Sequence, residues 1–240
     1  MLLKRGVVFF VSFNCNKRCR YCSTRPIGKL FPKYEMGIED VNEFISALMR
    51  DDVYLRWVGF TGGEPLIWKH LLHAAKMLKE SGRVQKIDVF TNGRLLYKYK
   101  TEDLSYIDNI RVSVTPDNTK YIYNWHKRRL GSKLTMVTKN RFAVYPNRII
   151  GGSPLPVRCC SDCALYFNHK MYPCTQCLPI QIEHSNDERF VVPEWATKKI
   201  SKPQAFDIVD DVNRIKMMAC MMCRGNQSLV FKKSKWKEQE

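Results

Sequence analysis

The first apolar block, Val7-Val8-Phe9-Phe10-Val11-Ser12-Phe13, is rich in β-branched and aromatic residues and predicts a buried strand. From Gly37 to Asp52 the period changes. Ile38, Val41, Phe44, Ile45, Leu48 and Met49 recur at helical spacing, with Glu39 and Asp40 in the first turn, where the helix dipole favours acids. Trp57-Val58-Gly59-Phe60 reads as a second strand, and Leu66 to Ser81 as a second helix closed by Gly82. Ile87-Asp88-Val89-Phe90 is a third strand, and a helical stretch from Leu95 to Tyr106 leads to a fourth at Ile110–Val114. A helix over Thr119–Leu130 and a strand over Thr135–Thr138 follow. Strand and helix alternate, so the expected fold class is α/β with a parallel sheet. After Asn140 no long helical pattern continues, and from Gly151 the strand and helix signals become short.

Cysteine placement changes the picture. Of ten cysteines, Cys15, Cys19 and Cys22 fall directly after the first strand with spacing Cys-x3-Cys-x2-Cys. Three thiolates suit an iron–sulfur cube with one iron left free for a small ligand, whereas structural zinc takes four closed ligands. Beyond Gly151 come three CxxC pairs, Cys160/Cys163, Cys174/Cys177 and Cys220/Cys223, with Cys159 extra. Paired knuckles of this kind hold either zinc or an iron–sulfur cluster, and in a chain without a secretion signal they point to metal, not disulfides. The start, MLLKRGVVFFVSF, has too short an apolar run for a signal peptide or a membrane span, so a soluble cytoplasmic protein is expected.

The triplet, with Tyr21 before its last cysteine, resembles the signature loop of the radical S-adenosylmethionine (radical SAM) enzymes. Gly62-Gly63-Glu64-Pro65 after the second strand and Thr91-Asn92-Gly93 after the third resemble two further family motifs, and Ser113 matches the fourth strand. Thr115 stands where many relatives have Asp. The resemblance covers roughly residues 5 to 140. It implies a partial (βα) barrel over 1–150 with a small cysteine-rich metal-binding extension over 151–240. It also implies a [4Fe–4S] cluster on Cys15, Cys19 and Cys22, with S-adenosylmethionine contacted by Tyr21, Gly62, Gly63, Glu64, Pro65, Asn92 and Ser113. Reductive cleavage of that cofactor gives a 5′-deoxyadenosyl radical, which abstracts hydrogen from substrate. The late cysteines resemble the SPASM or Twitch extensions, without the full seven-cysteine pattern, and imply one auxiliary iron–sulfur cluster or zinc on four of Cys160, Cys163, Cys174, Cys177, Cys220 and Cys223. No residue is assigned as a catalytic acid or base, and none of the five histidines receives a role.

Charge bears on the partner. The net charge is +17, and between Asn118 and Ser161 there is no Asp or Glu. Residues 17–33 carry six unopposed cations, and four lysines surround Trp236 near the end. This bias, interleaved with Tyr121, Tyr123, Trp125, Phe142 and Tyr145, leads to a nucleic-acid substrate, with base stacking on aromatics and phosphates on cations. Hypermodified thymines of viral genomes are one such target, with isomerisation or rearrangement as the outcome. The alternatives are a peptide maturase, ranked second because no winged leader-binding domain precedes the barrel, and a metal-bearing nucleic-acid binding module without turnover. The family's electron donors, flavodoxin or ferredoxin, are acidic and would suit residues 17–33.

Overall fold

The computed structural model describes residues 2–19, 22, 24–114, 119–138, 163–175, 177–183 and 197–207. The five expected strands form: β1 (Leu2–Ser12), β2 (Val53–Gly62), β3 (Val84–Thr91), β4 (Asn109–Val114) and β5 (Leu134–Thr138). Each runs parallel to the next, with Phe9 paired to Phe60, Phe60 to Val89, Val89 to Ile110 and Ile110 to Leu134. On the other side of β1 lies β6 (Cys163–Phe167), also parallel. Antiparallel β7 (Lys170–Tyr172) and β8 (Lys198–Lys199) complete the order β5-β4-β3-β2-β1-β6-β7-β8. Among the described residues the sheet is not closed, in keeping with a partial barrel.

Strand alternation sorts the side chains into two layers. Val7, Phe9, Val11, Val58, Phe60, Ile87, Val89, Ile110 and Val112 face helices α2 (Ile38–Arg50) and α3 (Leu71–Glu80) in the main core. The Phe9 ring lies 4.6 Å from that of Phe44 and 5.1 Å from that of Tyr166. Each such side chain contributes about 1.5–3 kcal/mol by leaving water. Asp40 secures the start of α2 by accepting the Gly37 N–H at 2.8 Å. On the inner face a smaller apolar cluster joins Val8, Phe10, Leu165 and Phe167 to Ile27 of the short helix α1 (Arg25–Leu30).

Three expectations need correction. The helix expected from Leu66 begins instead as a 3-10 turn, Pro65–Ile67, with α3 starting at Leu71. Trp68 interrupts it: fully buried, it donates its indole N–H to Met36 O at 2.8 Å, which turns the chain. Over Leu95–Tyr106 only a 3-10 turn, Leu96–Lys98, forms. The Arg129 side chain donates to the carbonyls of Leu96 and Tyr99, and Leu96 O also accepts the Tyr99 N–H that closes the 3-10 turn. The Thr119–Leu130 helix forms as α4 (Thr119–Tyr121), a π-helical segment (Ile122–Lys127) and α5 (Arg128–Leu130). Within it His126 is 3% exposed, packs edge-on against Tyr121, and finds no hydrogen-bond partner for either ring nitrogen among the described residues. Burial, with the nearby Arg129 cation, lowers its pKa.

The residue-150 boundary lies outside the described residues. Beyond it, the chain rejoins the same sheet and the same core. Tyr166 and Phe206 pack around Phe44, and helix α6 (Cys177–Glu183) brings Leu178 to Ile27 of α1. Arg50 at the end of α2 donates to the carbonyls of Ile200, Ser201 and Lys202. His169 faces two carboxylates of α2 with different ring nitrogens, Glu43 at 2.8 Å and Asp40 at 3.4 Å.

Candidate functional site

The three motifs meet at the C-terminal ends of β1, β2 and β3. Parallel pairing places these ends together, and the β1–β2 register shifts between Phe10 and Ser12, so that Ser12 faces Gly62. Gly62 and Gly63 then run against the chain leaving β1. Gly63 N–H donates to Ser12 O at 2.7 Å, and Glu64 N–H to Asn14 O at 2.8 Å. Gly62 has φ +137°, and a Cβ there would stand 2.2 Å from Ser12 O; one on Gly63 would stand 2.2 Å from Asn14 O. The two glycines therefore admit the backbone that carries the cysteine loop.

Glu64 is 1% exposed, and three donors occupy its carboxylate. Oε1 accepts the Thr91 hydroxyl at 2.5 Å and the Leu66 N–H at 3.1 Å, while Oε2 accepts the Asn92 N–H at 2.8 Å. Burial raises its pKa, and the three hydrogen bonds pull the other way. Its carboxylate thus joins the ends of β2 and β3. Pro65 is buried at the start of the following turn, and Gly93 sits in the left-handed region at φ +78°.

Asn92 turns toward the cysteine loop. Its amide nitrogen donates to Asn16 Oδ1 at 2.7 Å and lies 4.0 Å from Cys15 Sγ. The Lys17 N–H also points to Cys15 Sγ, at 3.4 Å. Cys15 is exposed, yet the atoms packed around its sulfur push the thiol up to about 11. Cys22 Sγ lies 3.2 Å from Thr24 Oγ1, and Thr24 donates to Gly62 O at 3.0 Å. Cys19 accepts the Cys22 N–H on its carbonyl. Among the described residues the ligand atoms gathered within 4.8 Å are those of Asp40, Glu43 and His169, not the three thiols, which are spread more widely than a single-ion site. Three cysteines on one loop, with N–H donors at the Cys15 sulfur, fit a cluster better than a lone cation.

Other expected residues fare differently. Ser113 is half-buried on the inner face of β4; Tyr21 lies outside the described residues, as do Cys160, Cys220 and Cys223. Cys174 is buried in the main core, Cys163 opens β6 and Cys177 opens α6. Several cations of the basic run are already engaged. Lys127 donates to Gly131 O and Leu134 O, Lys133 to Leu104 O, and Arg129 as described, while Lys120 and Arg128 are exposed. Thr24 and Asn16 escaped sequence reading because they belong to no motif. So did an inner-face group of Asp88, Asn109 and Arg111, whose signal was polar residues inside otherwise apolar strands.

The Radical SAM superfamily model matches residues 9–135. A GTP 3′,8-cyclase of Mesorhizobium japonicum is 30% identical over 95 residues, 38% of this chain and 28% of the relative. A second, of Acidothermus cellulolyticus, is 37% identical over 100 residues, 40% of this chain and 27% of the relative. The chain spans about a third of the length of the curated relatives it matches, at most 36% of those above and their like. Among solved structures, BtrN in complex with AdoMet and 2-DOIA superposes with a TM-score of 0.54 at 17% identity, covering 92% of this chain and 87% of that one. That likeness is one of fold. With more than half its length matched by the family model and the three motifs assembled at one sheet end, the chain belongs to the radical SAM superfamily.

Proposed function

We propose that this radical SAM enzyme acts on a base of a nucleic acid, as an isomerase or other modifying enzyme in the cytoplasm, with Cys15, Cys19 and Cys22 holding the [4Fe–4S] cluster that binds S-adenosylmethionine. When bound, cluster and cofactor together supply one-electron cleavage of the sulfonium and hence hydrogen abstraction from substrate. The protein's own residues position them. Glu64 and Asn92 lock two motif turns to the cysteine loop, and Thr24 ties Cys22 to Gly62. The aromatic and aliphatic side chains of the inner face exclude water, which protects a reactive intermediate from quenching. An auxiliary iron–sulfur cluster, or zinc, on the later cysteines and an acidic flavodoxin or ferredoxin as electron donor complete the reading.

The observation that carries it is the interlocking of all three motifs through Glu64 and Asn92. The substrate class draws on the basic run and on relatives whose name makes them cyclases of a nucleotide. Anaerobic incubation of reconstituted protein with S-adenosylmethionine, dithionite and DNA, RNA or peptide, followed by mass spectrometry, tests it. The expected products are 5′-deoxyadenosine and an altered base. If about six phosphates are neutralised, binding weakens with salt at a log–log slope near −5. An altered peptide with untouched nucleic acid overturns the substrate, and no cofactor cleavage overturns the whole.

A further inference from the structure

Asp88 and Phe90 of β3, with Asn109 and Arg111 of β4, alternate with residues of the main core and so occupy the inner face. Asp88 pairs with Asn109 across the strands, and Phe90 with Arg111, one step below the strand ends that carry Asn92 and Ser113. The Asp88 carboxylate is 2% exposed, a position that disfavours a charge unless it is fully paired. It is paired: Oδ1 accepts Asn109 Nδ2 and Oδ2 accepts Arg111 Nε, both at 2.7 Å.

Arg111 responds in an unusual way for a structural partner. It is engaged through Nε alone, its side chain stays 44% exposed, and its guanidinium stands 5.5 Å over the Phe90 ring. The terminal nitrogens, the part of the fork that grips carboxylate or phosphate, meet no acceptor among the described residues. Beside them the rings of Phe90 and Trp57 lie 6.3 Å apart. Two glycines make room for these rings: a Cβ on Gly59 would come within 2.6 Å of Phe90, and one on Gly6 within 2.1 Å of Trp57. Buried carboxylate, oriented guanidinium and aromatic floor share one layer.

We infer that Arg111, aimed by Asp88, is the anion anchor of the substrate pocket and takes a phosphate of a nucleoside whose base lies on Trp57 and Phe90. This rests on the base-modifying reading and narrows it. Asp88 is a positioning residue, since it acts through Arg111. The phosphate belongs either to a free nucleotide or to a polymer, and the two share this chemistry.

The test measures equilibrium binding of thymidine, thymidine monophosphate and a single-stranded thymidine decamer to the cluster-loaded full chain. The wild type is expected to bind the monophosphate or the decamer about tenfold or more tighter than the nucleoside. Arg111→Gln removes that phosphate preference while nucleoside affinity stays within about twofold. Arg111→Lys, which keeps the charge without the fork, retains part of the preference and serves as the second variant if Arg111→Gln fails to load iron. Asp88→Asn lowers the phosphate preference without lowering nucleoside affinity, a split that a merely structural pair would not show. A tighter decamer assigns the phosphate to a polymer, and a tighter monophosphate assigns it to a free nucleotide. Wild-type protein without phosphate preference, or both Arg111 variants with the wild-type ratio, overturns the inference. An altered peptide in the turnover assay with the phosphate preference intact would instead overturn only the base-modifying reading.

Discussion

Glu64 Oε2 accepts the backbone N–H of Asn92 at 2.8 Å, so a buried carboxylate at the end of β2 holds the turn that follows β3. From that turn the Asn92 side chain reaches Asn16 in the cysteine loop. One acidic side chain thus fixes the relative position of three loops.

Replacing it tests this linkage. Glu64→Gln puts an amide donor among three donors, leaving at least one unsatisfied in a buried place. The cost is about 1–3 kcal/mol, which lowers the melting temperature by roughly 2–12 °C in a chain of this size. Iron bound per chain falls as well. A variant with unchanged melting and full iron would mean that Glu64 does not hold the loops.

Gly63→Ala and Gly82→Ala form a contrasting pair. A Cβ on Gly63 meets a backbone carbonyl oxygen, which cannot swing aside; at Gly82 nothing lies within 4 Å and only the φ of +68° opposes a side chain. The second change is expected to cost about 1–2 kcal/mol and the first distinctly more, on the order of 4 kcal/mol. Denaturant unfolding of the two, side by side, decides.

Thr24→Val removes a hydroxyl without changing shape much, and leaves Gly62 O without its donor. A net loss of about 1 kcal/mol at the loop corresponds to roughly fivefold faster loss of iron to a chelator. Thr24→Ser restores the rate, because it keeps the hydroxyl. Equal rates in all three proteins would remove Thr24 from the site.

For Cys15 the sign of the pH effect follows from burial. Its thiol rises from an ordinary 9.0 to about 11, so in metal-free protein the folded state keeps a proton that the unfolded chain releases. Stability of the metal-free form therefore falls as pH rises from about 9 toward 11. Near pH 8 its alkylation by iodoacetamide is expected to run slower than that of an ordinary thiol, by about tenfold or more. Peptide mapping of the alkylated protein reads this directly. Metal uptake must expel that proton, so iron loading speeds up with pH over the same range.

Much of this was open to reading from residue order. Val7–Val11 declares itself because a parallel strand covered on both faces becomes an apolar run, and Ile110–Val114 because apolar and polar residues alternate along it. Helix α2 does so because its apolar positions share one stripe. The stretch Leu95–Tyr106 is less legible because its apolar spacing suits a helix, whereas two of its carbonyls are taken by Arg129, far along the chain. Strand β6 is hard to read because it is short and opens on a cysteine of a CxxC pair. Its Ala164-Leu165-Tyr166-Phe167 is itself a short apolar run, with alternate residues in the two core clusters. The motif residues were found by resemblance, but the partners of Glu64 were not, since Thr91 and Asn92 meet it only through the strand register.

Because β1 is flanked by β2 on one side and β6 on the other, the strand that delivers the cysteine loop has no free edge. Shortening the chain near residue 150 would strip Gly6–Phe9 of their β6 neighbours on that edge and uncover Val8 and Phe10. What reads in the sequence as an appendage is therefore the other half of the catalytic strand's shelter, and a truncated version should self-associate before it can hold iron.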